Sequence, residues 1–243
     1  LDARLAAVTA ARDALFADTV PAFASLETVL SRFVAWRTDF PTSYNDAYVA
    51  HSLPDVAGLY VRRELVSWQP HLQQQDLVEF AWFGPLFEFG EEDAGGEGAE
   101  ETADARLVPQ VVATAVVPRL AAAVEHAWDP ASVLQAANVA FALQQLQGLE
   151  LSPAVLQPAA VAVVARLTVA CDQVCVPVVP ADAGMADVTT RQLLHCLRLV
   201  HSAACFLEHV TAQVLDDVVG KVVSTRVLPA VQACGVDGLQ DAV

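Results

Sequence analysis

Apolar residues recur every three or four positions along almost the whole chain, and no stretch alternates apolar and polar residues over the length of a strand. That spacing gathers apolar side chains on one face of a helix and provides no half-buried sheet face. The sequence therefore predicts an all-α protein of about nine to ten helices. Stacked helical pairs in a single domain over residues 1–243 are expected to give an elongated, solenoid-like shape. Starting at Leu1, the chain is expected to be a fragment of a longer protein.

Prolines and caps suggest the helix ends. Pro21 suits the first turn of a helix with Phe23, Leu26, Val29, Leu30, Phe33, Val34 and Trp36 on its apolar face, and Phe40-Pro41 ends it. Ser43-Tyr44-Asn45-Asp46 has the form of a capping box, with Ser43 at N-cap and Asp46 at N3, opening a helix to about Ser52. Pro54 punctuates, a helix from Val56 to Trp68 is closed by Pro70, and another spans Gln73 to Phe89 with a kink at Gly84-Pro85. A helix from about Ala105 to Trp128 is expected to kink at Pro118. Asp129-Pro130 reads as N-cap and N1 of the next, and Ser152-Pro153 opens one more, reaching about Val174. Val188 to Val219 reads as one long helix burying Leu193, Leu197, Val200, Ala204, Leu207 and Val214, before a last helix over 221–233.

Thirteen Lys and Arg stand against 29 Asp and Glu, a net charge of −16. Duplex DNA binding needs a clustered basic patch, and the densest basic spot is the pair Arg62-Arg63. Direct duplex binding by this segment is not expected. Residues 90–104 carry seven acids, four glycines and no base, and read as a solvated flexible loop. The apolar stretches 107–124 and 158–171 are interrupted by Pro, Gln or Arg and read as buried helices rather than membrane spans. Five cysteines without framework spacing fit a reducing compartment.

Chemistry is sparse. His201, Cys205 and His209 fall at i, i+4 and i+8, which a straight helix spreads over roughly 12 Å, too far for one ion. No phosphate loop, nucleophile elbow or Walker lysine occurs. No catalytic residue, cofactor or metal is expected, and a metal-dependent helical domain stands only as a third reading. Twelve of the chain's aromatic rings fall between Phe33 and Phe89, more than a core there requires. Partner interfaces concentrate aromatics and Arg, so Arg62, Arg63, Trp68 and Trp82 are the partner-binding candidates. Arg62 or Arg63 either pairs with Asp46 or reaches outward.

Several blocks also resemble a known family: Phe33-x-x-Trp36, Phe40-Pro41-x-Ser43-Tyr44-x-Asp46-Ala47-Tyr48, Leu53-Pro54, Arg62-x-x-Leu65-x-x-Trp68-x-Pro70, and Trp128-Asp129-Pro130-x-Ser132. Over about residues 20–230 they are similar to the GC-rich sequence DNA-binding factor-like family. His51-Ser52 and Asp55 depart from its usual pattern. The resemblance implies structural positions at Trp36, Ser43, Tyr44, Asp46, Tyr48, Trp128, Asp129 and Pro130. It implies a nuclear, non-enzymatic scaffold or adaptor of the spliceosome, acting in intron-lariat spliceosome disassembly. The implied partners are a G-patch protein of the tuftelin-interacting type, a DEAH-box helicase and other spliceosome proteins, with no membrane. The alternative is a transcriptional regulator binding DNA or a DNA-bound factor.

Titration of residues 1–243 with duplex DNA at physiological salt is expected to give binding weaker than about micromolar. Nanomolar binding would overturn the charge argument.

Overall fold

Helix ends follow the prolines, although not always where the local pattern suggests. The computed structural model describes residues 2–91, 104–149, 151–176 and 183–233. Among these residues lie ten helices and no strand. They are α1 (Asp2–Ala14), α2 (Leu26–Asp39), α3 (Pro41–Asp46), α4 (Val49–Leu65), α5 (Phe83–Glu91), α6 (107–126), α7 (Val133–Gln147), α8 (Pro153–Gln173), α9 (Ala183–Ala204) and α10 (212–233). Residues 92–103, most of the expected acidic loop, lie outside the described residues.

The chain divides into two compact units, residues 1–69, 75–120 and 145–156 in the first, and 70–74, 121–144 and 157–243 in the second. In the first, α2 begins at Leu26, where Ser25 Oγ accepts the Thr28 N–H at 3.2 Å, and Pro21 opens only a 3-10 turn. The expected capping box is not formed. Pro41 sits at the N-terminus of α3, so Ser43 lies inside that helix and Asp46 ends it. Tyr48, at φ 52° and ψ 39°, then turns the chain into α4, which continues through Pro54. An interior proline typically costs ~3 kcal/mol. Here Leu53, Ala57, Val61 and Leu65, all 1% exposed or less, bury one face of α4, which packs on the start of α6.

Residues 73–82 are not the helix expected. They hold only a 3-10 turn, Leu77–Glu79, and Gly84-Pro85 falls in the first turn of α5 rather than at a kink. The apolar spacing there serves an irregular connector: the Trp68 and Phe80 rings meet edge-on at 6.0 Å, and Phe80 and Trp82 stack at 6.1 Å. Arg119 of α6 closes the end of α4, donating Nε to the Leu65 carbonyl at 3.1 Å and Nη2 to the Trp68 carbonyl at 2.7 Å. Its burial lowers the guanidinium pKa.

The first unit also holds a buried polar network. Asp104, counted at the sequence level with the solvated loop, is 4% exposed. The Tyr44 hydroxyl reaches its Oδ2 at 2.9 Å and Oδ1 at 3.1 Å, and Arg37 Nη1 donates to Oδ2 at 3.1 Å. The Arg37 guanidinium also lies 4.5 Å from the centre of the Phe89 ring. These contacts join α2, α3, α5 and the turn before α6.

In the second unit Trp128 is fully buried and meets Phe206 edge-on at 5.4 Å. Cys171, Val174, Val176, Cys196, Leu199, Val222 and Ala230 form its apolar cluster. The expected single helix over 188–219 is interrupted at 205–211, and its buried face is Cys196, Leu199, Ala203 and Phe206. Leu197 and Leu207, expected inside, are 49% and 55% exposed. The small Cys196 and Ala203 share the buried positions with Leu199 and Phe206, so side-chain bulk alone did not mark the face. By length and composition the helical stretches Asp104–His126 and Pro153–Gln173 suffice to cross a membrane. The second does not fit the buried helix expected, because only 22% of its apolar window is buried.

Removing one partner of a buried ion pair leaves the other uncompensated. Asp104→Ala is expected to destabilise the fold by ~3–5 kcal/mol in urea unfolding, and Tyr44→Phe by ~1–2 kcal/mol. A change below ~1 kcal/mol for Asp104→Ala would show that the network does not hold these helices.

Candidate protein-interaction surface

The four partner-binding candidates do not form one surface. Trp68 and Trp82, 3% and 2% exposed, belong to the core rather than to an interface. Arg63 is half-buried and braces α1: its Nε donates to the Arg12 carbonyl at 3.0 Å and its guanidinium lies 5.1 Å from the Phe16 ring centre. Arg62 is exposed, with its guanidinium lying over Gly58. No ion pair joins either arginine to Asp46, which is exposed at the end of α3.

The family-motif positions divide between inside and outside. Tyr44 is 3% exposed, and half-buried Trp36 meets its ring edge-on at 5.9 Å. Tyr48 and Phe40, at the two ends of α3, are 71% and 64% exposed. Asp129-Pro130 builds the turn before α7 rather than starting that helix. Asp129 Oδ1 accepts the Ala131 N–H at 3.0 Å, and the Asp129 N–H donates to Gln135 Oε1 at 2.9 Å. Ser132 takes the capping role, its Oγ accepting the Gln135 N–H at 3.4 Å.

Two hollows mark the first unit. A cleft of about 410 Å³ is lined by Arg12, Glu27, Tyr60, Arg63 and Glu64, with Trp82 behind. Several of its polar groups are engaged within the fold: Arg12 Nη1 with Ser67 Oγ at 2.7 Å, Tyr60 Oη with the Phe23 carbonyl at 2.6 Å, and Glu64 Oε1 with the Ala81 N–H at 2.9 Å. The other hollow is apolar, a groove of about 350 Å³ between α5, α6 and the end of α7. Phe83 and Phe87 stack along one wall at 6.1 Å and 11°, Val108 and Pro109 line α6, Leu149 stands at the rim, and Glu91 is the acid. Phe87 is 47% exposed. Nothing in the local sequence pattern brings Leu149 beside these two rings.

The second unit offers little reactive chemistry. The helix α9 ends at Ala204, so Cys205 and His209 leave the row that His201 begins, and Cys205 Sγ only donates to the His201 carbonyl at 3.5 Å. Among the described residues no group of three His, Cys, Asp or Glu could hold a metal ion. Burial pushes the Cys171 thiol up to about 11, with Asp172 adding to the shift, and lowers the His209 pKa. A thiol so placed stays protonated at neutral pH and is a poor nucleophile.

The family model described as GC-rich sequence DNA-binding factor-like protein matches residues 26–176, from α2 to just beyond α8. The chain is 28% identical over 222 residues to "Transcriptional repressor ILP1" of Arabidopsis thaliana, covering 88% of this chain and 24% of that protein. It is 32% identical to human "PAX3- and PAX7-binding protein 1" over 51% of this chain and 14% of the relative. It is 34% identical to mouse "Intron Large complex component GCFC2" over 50% of this chain and 16% of the relative. The chain thus spans a quarter or less of the length of these relatives, whose names are those of a repressor, a binding protein and a complex component.

Because burial raises the Cys171 thiol from 9.0 to about 11, the folded state holds that proton more tightly than the unfolded chain. The resulting stabilisation is complete below the unfolded value of 9.0 and is lost as pH rises toward about 11. Urea midpoints are expected to fall across that window, and to fall less steeply in Cys171→Ala. Parallel slopes would remove the thiol as the cause.

Proposed function

The chain belongs to the GC-rich sequence DNA-binding factor-like family, and from that premise we propose that it is a non-enzymatic α-helical scaffold of nuclear pre-mRNA splicing. In this reading it acts in disassembly of the intron-lariat spliceosome, holding a G-patch protein of the tuftelin-interacting type for a DEAH-box helicase. The observation that carries the reading is the family match over 26–176, within a family whose mouse member is named an Intron Large complex component. The physical features agree with scaffolding: ten helices among the described residues, an exposed apolar groove, and a Cys171 thiol held protonated by burial.

A second reading, transcriptional regulation, is favoured by the relative named a repressor, which aligns over 88% of this chain. At a net charge of −16 the chain would then act on a DNA-bound protein rather than on the duplex itself. Both readings place the protein in the nucleus.

Affinity purification of the full-length protein from nuclear extract, with mass spectrometry of partners and sequencing of bound RNA, separates the two. The splicing reading expects a G-patch protein, a DEAH-box helicase and excised intron RNA. Recovery of transcription factors without spliceosomal proteins or intron RNA would overturn it.

A further inference from the structure

We propose that the groove between α5, α6 and the end of α7 is a docking site for a short partner segment that pairs one or two bulky apolar side chains with neighbouring Lys or Arg. This deepens the scaffold reading and rests on it, since it assigns a surface and a ligand chemistry to partner binding.

The apolar half of the argument is the groove itself. Its volume of about 350 Å³ lies at the lower end of the range of small binding hollows. The stacked rings of Phe83 and Phe87 line it from α5, and Val108, 8% exposed, and Pro109 line it from α6. Phe87 remains 47% exposed, so a large part of one ring faces water. An aromatic ring left in that position is the kind of anchor that concentrates binding energy when a partner covers it.

The charged half is complementarity. Glu91 lines the groove at the end of α5, and Glu88 is exposed one turn earlier. Among the described residues that line the groove, Glu91 is the charged one and no Lys or Arg accompanies it. The carboxylates of Glu88 and Glu91 beside the apolar wall disfavour an acidic occupant and attract a basic one. A second copy of this chain, itself at −16, would meet repulsion there.

The contrast with the neighbouring cleft supports the choice. That cleft is larger, but Arg12, Tyr60 and Glu64 are hydrogen-bonded within the fold. The groove instead offers carbon surface, which gains free energy when covered.

The test uses the whole 243-residue chain and two fluorescent peptides of equal charge. One is Lys-Arg-Leu-Phe-Lys-Lys-Leu-Phe-Arg-Lys, and in the other every Leu and Phe is replaced by Ser. The apolar peptide is expected to bind at least about tenfold tighter than its Ser counterpart. Phe87→Glu, verified as folded by circular dichroism, is expected to weaken it by about tenfold or more, although the variant is more acidic. Adsorption by charge alone would instead be unchanged or strengthened. Leu149→Glu at the rim gives a second reading should Phe87→Glu unfold. Equal binding of the two peptides, or retention of binding in a folded groove variant, overturns the proposal. The peptide measurement involves no nuclear extract, so its failure is distinct from a failure to recover splicing proteins.

Discussion

A carboxylate at 4% exposure is tolerable only if its charge is met inside the protein, and Asp104 is met by Arg37 and Tyr44. The three residues come from the turn before α6, from α2 and from α3, so satisfying one side chain sets the placement of three elements. Arg37 reaches further, with Nη1 at 3.4 Å from the Phe89 carbonyl and its guanidinium over the Phe89 ring. On the same helix the Gly90 backbone comes so close to Asp104 that a Cβ there would stand 3.4 Å from the Asp104 carbonyl oxygen. The walls of the apolar groove, α5 and α6, are therefore held together from behind by the network. A disturbance at Asp104 would be felt in the groove as well as in the core.

The same economy appears where prolines interrupt the long helices. In α6 a π segment over Val112–Val116 precedes Pro118, and in α10 a π segment over Val223–Val227 precedes Pro229. Proline has no N–H to donate, and its ring presses on the preceding turn. Widening that turn by one residue accommodates the ring without ending the helix. The kink expected at Pro118 is thus a local change of winding, and α6 can present Val108, Val111, Val112 and Val116 to the rest of the first unit. Pro54 is handled differently, by packing alone, because its neighbours Leu53 and Ala57 are almost wholly buried.

The aromatic excess between Phe33 and Phe89 is spent mainly inside. Tyr44, Trp68, Phe80, Trp82 and Phe89 are all at 5% exposure or less: Trp68, Phe80 and Trp82 pack the irregular connector, and Tyr44 and Phe89 flank the Asp104–Arg37 network. What is left for the surface is a smaller set: Phe40 and Tyr48 around α3, and Phe87 in the groove. Tyr48 stands out because a non-glycine residue at positive φ carries a backbone cost of ~1–2 kcal/mol, and it does so while most of its ring faces solvent.

The all-α class, the helix ends at Asp39 and Gln173, and the family blocks were legible in the sequence, because each depends on residues within a few positions of one another. Period, proline and cap act over one or two turns. The misreadings share the opposite cause. Ser43-Tyr44-Asn45-Asp46 has the local form of a cap, but Pro41 had already started the helix and Tyr44 was claimed by an aspartate sixty residues away. Leu197 looked like core and Cys196 did not, until the packing of α9 on α10 chose the smaller side chain. Local periodicity alone settled that this chain would be helical. Which face of each helix is buried, which aromatics remain outside, and the meeting of Phe83, Phe87, Val108 and Leu149 in one groove were decided by tertiary contacts, because burial depends on neighbours that the chain brings together only when it folds.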